Sequence, residues 1–260
     1  MVDTMFVRTV VGIIGNVISF FLFLSPLPTF VQIIKQKAVQ DFKADPYVMT
    51  LLNCAMWSLY GMPFVKPDSL LVVTINGFGF FLELIYVAIF LIFSPWVKRD
   101  IIIIIIIIII IIIMQRKLII TLLVETAFFI GVLLITLLVF HAPPKRAMFV
   151  GLLCIVFNVI MYASPLTVVK MVIKTKSVKY MPFFLSLAGF CNGIVWTIYA
   201  LLKFDVNILI PNGLGSLFAL LQLVLYAIYY RTTNWDDDDD QPPRGGHQEE
   251  FSEIQLSSKV

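Results

Sequence analysis

The chain has 260 residues, 60% hydrophobic and 13% charged, with a formal net charge of +3. A soluble domain carries roughly 25% charged residues. The charge here is too sparse to solvate a soluble surface, and no basic patch suggests a nucleic-acid partner. The mean hydropathy is +0.97, and the apolar residues fall in runs of about 20, the length that crosses roughly 30 Å of hydrocarbon. The chain therefore resides in a lipid bilayer.

Backbone polar groups in lipid must be satisfied within the segment, so the spans are helices. Seven are expected, at residues 9–30, 47–65, 70–93, 118–140, 148–169, 182–202 and 207–230. The first run is too long for a cleaved signal and acts as an uncleaved first span. After the third span come thirteen consecutive isoleucines, Ile101 to Ile113. As a helix they reach only about 20 Å, and basic residues bracket them on both sides. Counting them as a span would invert every later loop, so residues 94–117 are read as a cytoplasmic loop with a low-complexity insertion. Beyond Trp235 the composition turns to Asp236–Asp240 and then to Pro, Gly, Gln, Glu and Ser. Residues 231–260 cannot bury an apolar core and are expected to form a disordered cytoplasmic tail.

Lys and Arg near the spans set the orientation. Lys35, Lys37, Lys43, Lys98, Arg99, Arg116, Lys117, Lys170, Lys174, Lys176, Lys179 and Arg231 share one side. Arg8, Lys66, Lys145, Arg146 and Lys203 share the other. The richer side is cytoplasmic, which puts the amino terminus outside and the carboxyl terminus inside.

The chain also repeats itself. Ser25-Pro26-Leu27 recurs as Ser164-Pro165-Leu166, and Lys35-x-Lys37-x-Val39 as Lys174-x-Lys176-x-Val178. Trp57 and Tyr60 recur as Trp196 and Tyr199, Pro46 as Pro182, and Asn76-Gly77-x-Gly79 as Asn212-Gly213-x-Gly215. Spans 1–3 (residues 1–93) thus correspond to spans 5–7 (residues 148–230), in the same orientation. Two parallel three-helix units need an odd number of crossings between them, which makes 118–140 a linker helix. The fold class is an all-α membrane protein with a 3-1-3 plan. Parallel repeats about an axis along the membrane normal are a known transporter architecture.

The motifs Leu22-Phe23-Leu24-Ser25-Pro26, Leu51-Leu52-Asn53-Cys54-Ala55 through Tyr60-Gly61, and Thr74-Ile75-Asn76-Gly77 lie in the first unit. Met161-Tyr162-Ala163-Ser164-Pro165-Leu166, Lys174 to Val178, Met181-Pro182-Phe183-Phe184 and Ile210-Pro211-Asn212-Gly213 lie in the second. Together they resemble the plant SWEET (MtN3/saliva) sugar transporters, and the hexose-transporting subgroup most. The resemblance covers all seven spans; the isoleucine run departs from it. It implies a facilitative, bidirectional sugar uniporter working by alternating access, with plasma-membrane residence and self-association. Hexoses such as glucose are the expected substrates, and sucrose is the alternative.

The residues suggest where sugar binds. A carboxamide both donates and accepts hydrogen bonds, as a sugar hydroxyl does, so Asn76 and Asn212 are the leading candidates. Trp57 and Trp196 lie deep in their spans, where an aromatic face can stack on a pyranose, and Ser58 joins them. Tyr60 and Tyr199, one turn nearer the outside, could close the outer mouth, with Asp205 accepting a hydrogen bond from that gate. Pro26, Pro46, Pro165 and Pro182 fall at the cytoplasmic ends of four spans and form a candidate hinge ring, as the resemblance also implies.

Glu83 and Glu125 are the only acids deep in spans. Neither recurs in the other unit, and both are read as structural hydrogen-bonding groups, which leaves transport downhill. The thiols Cys54, Cys154 and Cys191 have no metal-like spacing; no metal or cofactor is expected. A seven-helix receptor would not show the repeat. An intramembrane enzyme would need a catalytic base, and the histidines, His141 and His247, lie in a loop and the tail.

Overall fold

The structure, a computed structural model, describes residues 3–39, 42–93, 101–179, 181–233 and 235. The expected acidic tail, together with Lys98 and Arg99, lies outside the described residues. The described residues form helices α1 (Thr4–Leu24), α2 (Leu27–Gln36), α3 (Asp45–Gly61), α4 (Leu70–Phe93), α5 (Ile101–Leu138), α6 (Pro143–Met161), α7 (Ala163–Thr175), α8 (Phe183–Leu202) and α9 (Val206–Tyr229). They make seven crossings, because α1 with α2 and α6 with α7 are each one broken span. Six of the seven are long and apolar enough by composition. The seventh, α3, has 17 residues, or about 26 Å. Large apolar side chains such as Phe6, Phe81 and Leu217 point outward, as a surface in contact with acyl chains requires.

Proline causes both breaks. Its ring collides with the carbonyl four residues earlier and removes one helical donor. For Pro26 that carbonyl belongs to Leu22, which instead accepts the Ser25 backbone N–H at 3.1 Å and its hydroxyl at 2.8 Å. For Pro165 the carbonyl belongs to Met161, the last residue of α6. Both broken spans then end identically. Lys37 and Lys176 are left-handed C-caps, with φ of 53° and 57°, and donate to the carbonyls of Ile33 and Val172. Pro46 stands in the first turn of α3, and Pro182 is the N-cap of α8.

Each unit places its third crossing between the other two: α4 packs against α1, α2 and α3, and α9 against α6, α7 and α8. The units meet through α1 with α8 and through α3 with α6, two contacts related by the repeat. The linker α5 lies against α3 and α6.

One boundary differs from expectation. The isoleucine run is not a loop but the first third of α5, whose 38 residues extend about 57 Å. The run contains no glycine or proline and continues through Met114 to Lys117 without a stop signal. Nothing in it ends a helix, even though β-branched residues form helices less readily than alanine. Within α5, residues Arg116–Leu138 are long and apolar enough to cross a bilayer.

The buried side chains form three clusters. One draws on both units, with Met56, Trp57, Tyr60 and Val72 from the first and Val150, Cys154, Trp196, Tyr199 and Ile208 from the second. It lies toward the end of the bundle that carries the α3–α4 and α8–α9 loops. The other two lie at the opposite end, one per unit. Phe30, Ile33, Tyr47, Tyr86 and Phe90 form the first, and Val168, Val172, Val178, Met181 and Leu225 the second.

Candidate functional site

A cavity of about 360 Å³ lies between the two units, within the size range of small-ligand pockets. Its wall includes Ser19, Asn53, Trp57, Asn76 and Glu83 from the first unit and Asn158, Asn192, Trp196 and Asn212 from the second. Four of the residues singled out from sequence, Asn76, Asn212, Trp57 and Trp196, therefore meet in one place. Ser58 is not among the residues that line the cavity, and among the described residues its hydroxyl has no hydrogen-bond partner. A single helical step turns a side chain by about 100°. Asn53, one turn before Trp57, takes the cavity-facing position instead.

The two paired asparagines are held alike. Asn76 Nδ2 donates to the Val72 carbonyl and Asn212 Nδ2 to the Ile208 carbonyl, both at 2.9 Å. Each bond fixes its amide and leaves the side-chain oxygen as an acceptor. Two further carboxamides complement them. Ser19 Oγ donates to Asn192 Oδ1 at 2.7 Å, and Asn158 Nδ2 donates to Asn53 Oδ1 at 3.3 Å. The amide nitrogens of Asn192 and Asn53 remain as donors. The repeat relates these bonds: adding 139 to Ser19 gives Asn158, and adding 139 to Asn53 gives Asn192. Sequence alone does not single out these four as a set. The signal was present in the identical pair Asn53 and Asn192, but the change from serine to asparagine hid the other pair.

Ser19 also accepts from Trp196 Nε1 at 3.2 Å. This bond pins the Trp196 indole, while Trp57 is held by an edge-on contact with Tyr60 at 5.4 Å between centroids. The two indoles floor the cavity toward the shared core.

Beyond them the chain is closed. Tyr60 is fully buried, and its hydroxyl lies 2.7 and 2.8 Å from the two oxygens of the Asp205 carboxylate. Asp205 is 2% exposed and receives Lys66 Nζ at 3.2 Å. It also caps α9 by accepting the Asn207 N–H at 3.1 Å. Tyr199 is satisfied differently. The Arg8 guanidinium, itself buried, lies 4.0 Å above its ring and donates to the Asp68 carbonyl at 2.7 Å. The Asp68 carboxylate takes Lys203 at 2.6 Å. That bond holds the exposed carboxyl below its usual range. Arg8 was read from sequence only as a loop charge; its place over Tyr199 was not foreseen.

The four prolines lie at the opposite end. Pro182 lines a second cavity of about 500 Å³, between Phe21, Leu22 and Ser25 of the first unit and Met181 to Leu185 of the second. Among the described residues no cluster of His, Cys, Asp or Glu could hold a metal ion.

The family model for "Sugar efflux transporter for intercellular exchange" matches residues 9–99 and 148–234. The chain belongs to this family, the SWEET or MtN3 transporters, and is a multi-pass membrane protein of the 3-1-3 fold. It is 58% identical to the bidirectional sugar transporter SWEET5 of Arabidopsis thaliana, over 91% of this chain and 92% of that protein. It is 51% identical to SWEET4 of the same plant, over 90% and 86%. It is 53% identical to SWEET7b of Oryza sativa subsp. indica, over 90% and 82%. The solved structure of a eukaryotic SWEET transporter superposes with a TM-score of 0.78 at 35% identity, covering 88% of this chain and 99% of that one.

Proposed function

We propose that the chain is a bidirectional sugar uniporter, that it carries hexoses such as glucose, and that it runs no chemical step. The observation that carries this reading is the cavity itself. Its repeat-related carboxamides alternate acceptors (Asn76, Asn212) with donors (Asn53, Asn192) between two indoles, a set that matches a ring of hydroxyls over an apolar ring face. The cross-unit bonds Ser19–Asn192 and Asn53–Asn158 narrow the space and favour a monosaccharide over sucrose.

In this reading the Tyr60–Asp205 end faces outward and is shut, and the proline end faces the cytoplasm. The orientation rests on the lysine and arginine count, and the plasma membrane is the site of action. Pro26, Pro46, Pro165 and Pro182 act as hinges through which the units rock, and the transporter self-associates.

The test is counterflow of labelled glucose, fructose and sucrose in proteoliposomes, with and without a pH gradient. Glucose exchange that ignores the gradient is expected. Asn76→Ala and Asn212→Ala should abolish it while both proteins still reconstitute; undiminished exchange would sink the site. Epitopes at each terminus, probed on intact cells, check the orientation.

A further inference from the structure

The broken span of the second unit has a single residue at its joint. Tyr162 is the C-cap of α6 and the N-cap of α7, at the break that Pro165 makes. Its N–H donates to the Asn158 and Val159 carbonyls at 3.2 Å, and its own carbonyl accepts the Leu166 N–H at 3.2 Å. The side chain leaves the joint for α9, where its hydroxyl donates to the Pro211 carbonyl. Pro211 immediately precedes Asn212. It stands inside α9 and cannot donate to the Asn207 carbonyl, so the turn that leads to Asn212 lacks one of its own bonds. Gly215 admits the ring, since a Cβ there would stand 2.8 Å from the Tyr162 oxygen.

The first unit keeps the packing and not the bond. By the repeat, Tyr162, Pro211 and Gly215 correspond to Phe23, Ile75 and Gly79. The Phe23 ring fills the space over Gly79, 2.5 Å from where a Cβ would stand, and it has no hydroxyl. That unit is tied at another place. Tyr86 donates to the Phe23 carbonyl at 3.2 Å, ten residues past Asn76 and so about 15 Å further along α4. The duplicated scaffold therefore accommodates a bare ring at the joint, and the hydroxyl beside Asn212 is an addition of the second unit. Tyr162 is not among the residues that line the cavity, so it reaches sugar only through Asn212. We propose that Tyr162 is a positioning residue for transport: its hydroxyl ties the α6–α7 break to the turn that bears Asn212, so that hinge and amide move as one. The inference rests on the sugar-transport reading above and deepens it, assigning the coupling of site to hinge to one bond.

The experiment uses the full chain in proteoliposomes and compares the parent with Tyr162→Phe, reading the KM and the maximal rate of labelled glucose exchange. Without the bond Asn212 still offers its oxygen, so KM should stay within about twofold of the parent's. The maximal rate should fall by roughly three- to tenfold, the range for one hydrogen bond. Phe218→Leu is the control. It removes a ring 5.2 Å from that of Tyr162 but no hydrogen bond, and should lower the melting temperature while the maximal rate stays near the parent's. Phenylalanine already fills the matching place in the first unit, so Tyr162→Phe tests the hydroxyl and not the fold. Failure of that variant to reconstitute would make the bond a structural one and overturn the proposal. An unchanged maximal rate, a loss carried by KM alone, or an equal fall in rate for Phe218→Leu would overturn it too. Absence of glucose exchange by the parent overturns the sugar-transport reading as well.

Discussion

The two ends of the bundle are built differently. At the Tyr60–Asp205 end, one apolar cluster is shared by both units, and the Tyr60 hydroxyl of one bonds the Asp205 carboxylate of the other. At the proline end, each unit has its own core, and a cavity of about 500 Å³ lies between them. A carrier that alternates must be able to separate its units at either end in turn. In this structure the units bond each other at the first end and share no apolar cluster at the second. The contrast also locates the energy of switching. In the proposed rocking of the units each would keep its private core, so the cost would fall on the shared cluster and on the few polar bonds above it.

That contrast can be broken by substitution at the zipped end. The largest effect is expected from Asp205→Ala, which strips the buried Tyr60 hydroxyl and Lys66 of their partner and uncaps α9. Exchange should fall by more than tenfold. A cysteine placed at Val65, buried in the shared cluster, should become reactive to an impermeant maleimide added outside. Protection equal to that in the parent would show that the carboxylate does not hold this end shut.

Next comes Gly12→Ala. Its new methyl would stand 2.6 Å from a Leu71 methyl and 2.9 Å from the Tyr199 ring, where α1 passes α8. Overpacking of this kind costs about 1–3 kcal/mol. A lower melting temperature in detergent and a zipped end that labels more easily are expected.

Tyr60→Phe is milder, because the ring still packs on Trp57 and the losses are the bond to the carboxylate and the weak one accepted from Asn207 Nδ2 at 3.3 Å. Such bonds contribute roughly 1.5–3 kcal/mol. The zipped state should lose about one to two decades of population, read as faster labelling of the same cysteine with protein yield unchanged.

The smallest effect belongs to the exposed Asp68–Lys203 pair. Bonding to Lys203 lowers the folded-state pKa of Asp68. Its contribution is therefore present above the unfolded carboxyl value of about 3.9 and is lost as pH falls through the lower folded value. The melting temperatures of the parent and Asp68→Asn should differ slightly at neutral pH and converge in acid. A gap that persists in acid would mean that the lysine is not the cause.

Much of this was legible in the sequence, and the parts that were not have physical reasons. The seven crossings follow from apolar run length. The 3-1-3 plan follows from repeated Ser-Pro-Leu and Asn-Gly pairs, which the matched left-handed caps at Lys37 and Lys176 then reproduce in the backbone. The extent of α5 was not legible, because a charge count says which residues cross lipid and not where a helix ends. Ser58 lies off the cavity wall, since spacing within a span does not by itself say which face turns inward. Asn158 escaped because the repeat preserves its geometry against Ser19 but not the residue type. Arg8 escaped because a basic residue near a span end is normally solvated, whereas here it stacks on Tyr199. Glu83 was noticed, but its position in the cavity wall needed the fold.

The linker α5 has a consequence for how such a molecule can change over time. It packs mainly against α3 and α6, and it ties two units that would otherwise have to find each other at a rate set by dilution. Tethering replaces that encounter with a fixed local concentration. It also frees each copy from having to match itself. In a pair of identical separate subunits, an aspartate at position 205 would force one opposite Tyr199 as well, and a carboxylate facing the cavity would come as two. Within one covalent chain, Arg8 can face Ala147, Asp205 can face Ser69, and Glu83 can face Ala219. Symmetry that an assembly of equals must keep becomes, here, something each half can abandon one residue at a time.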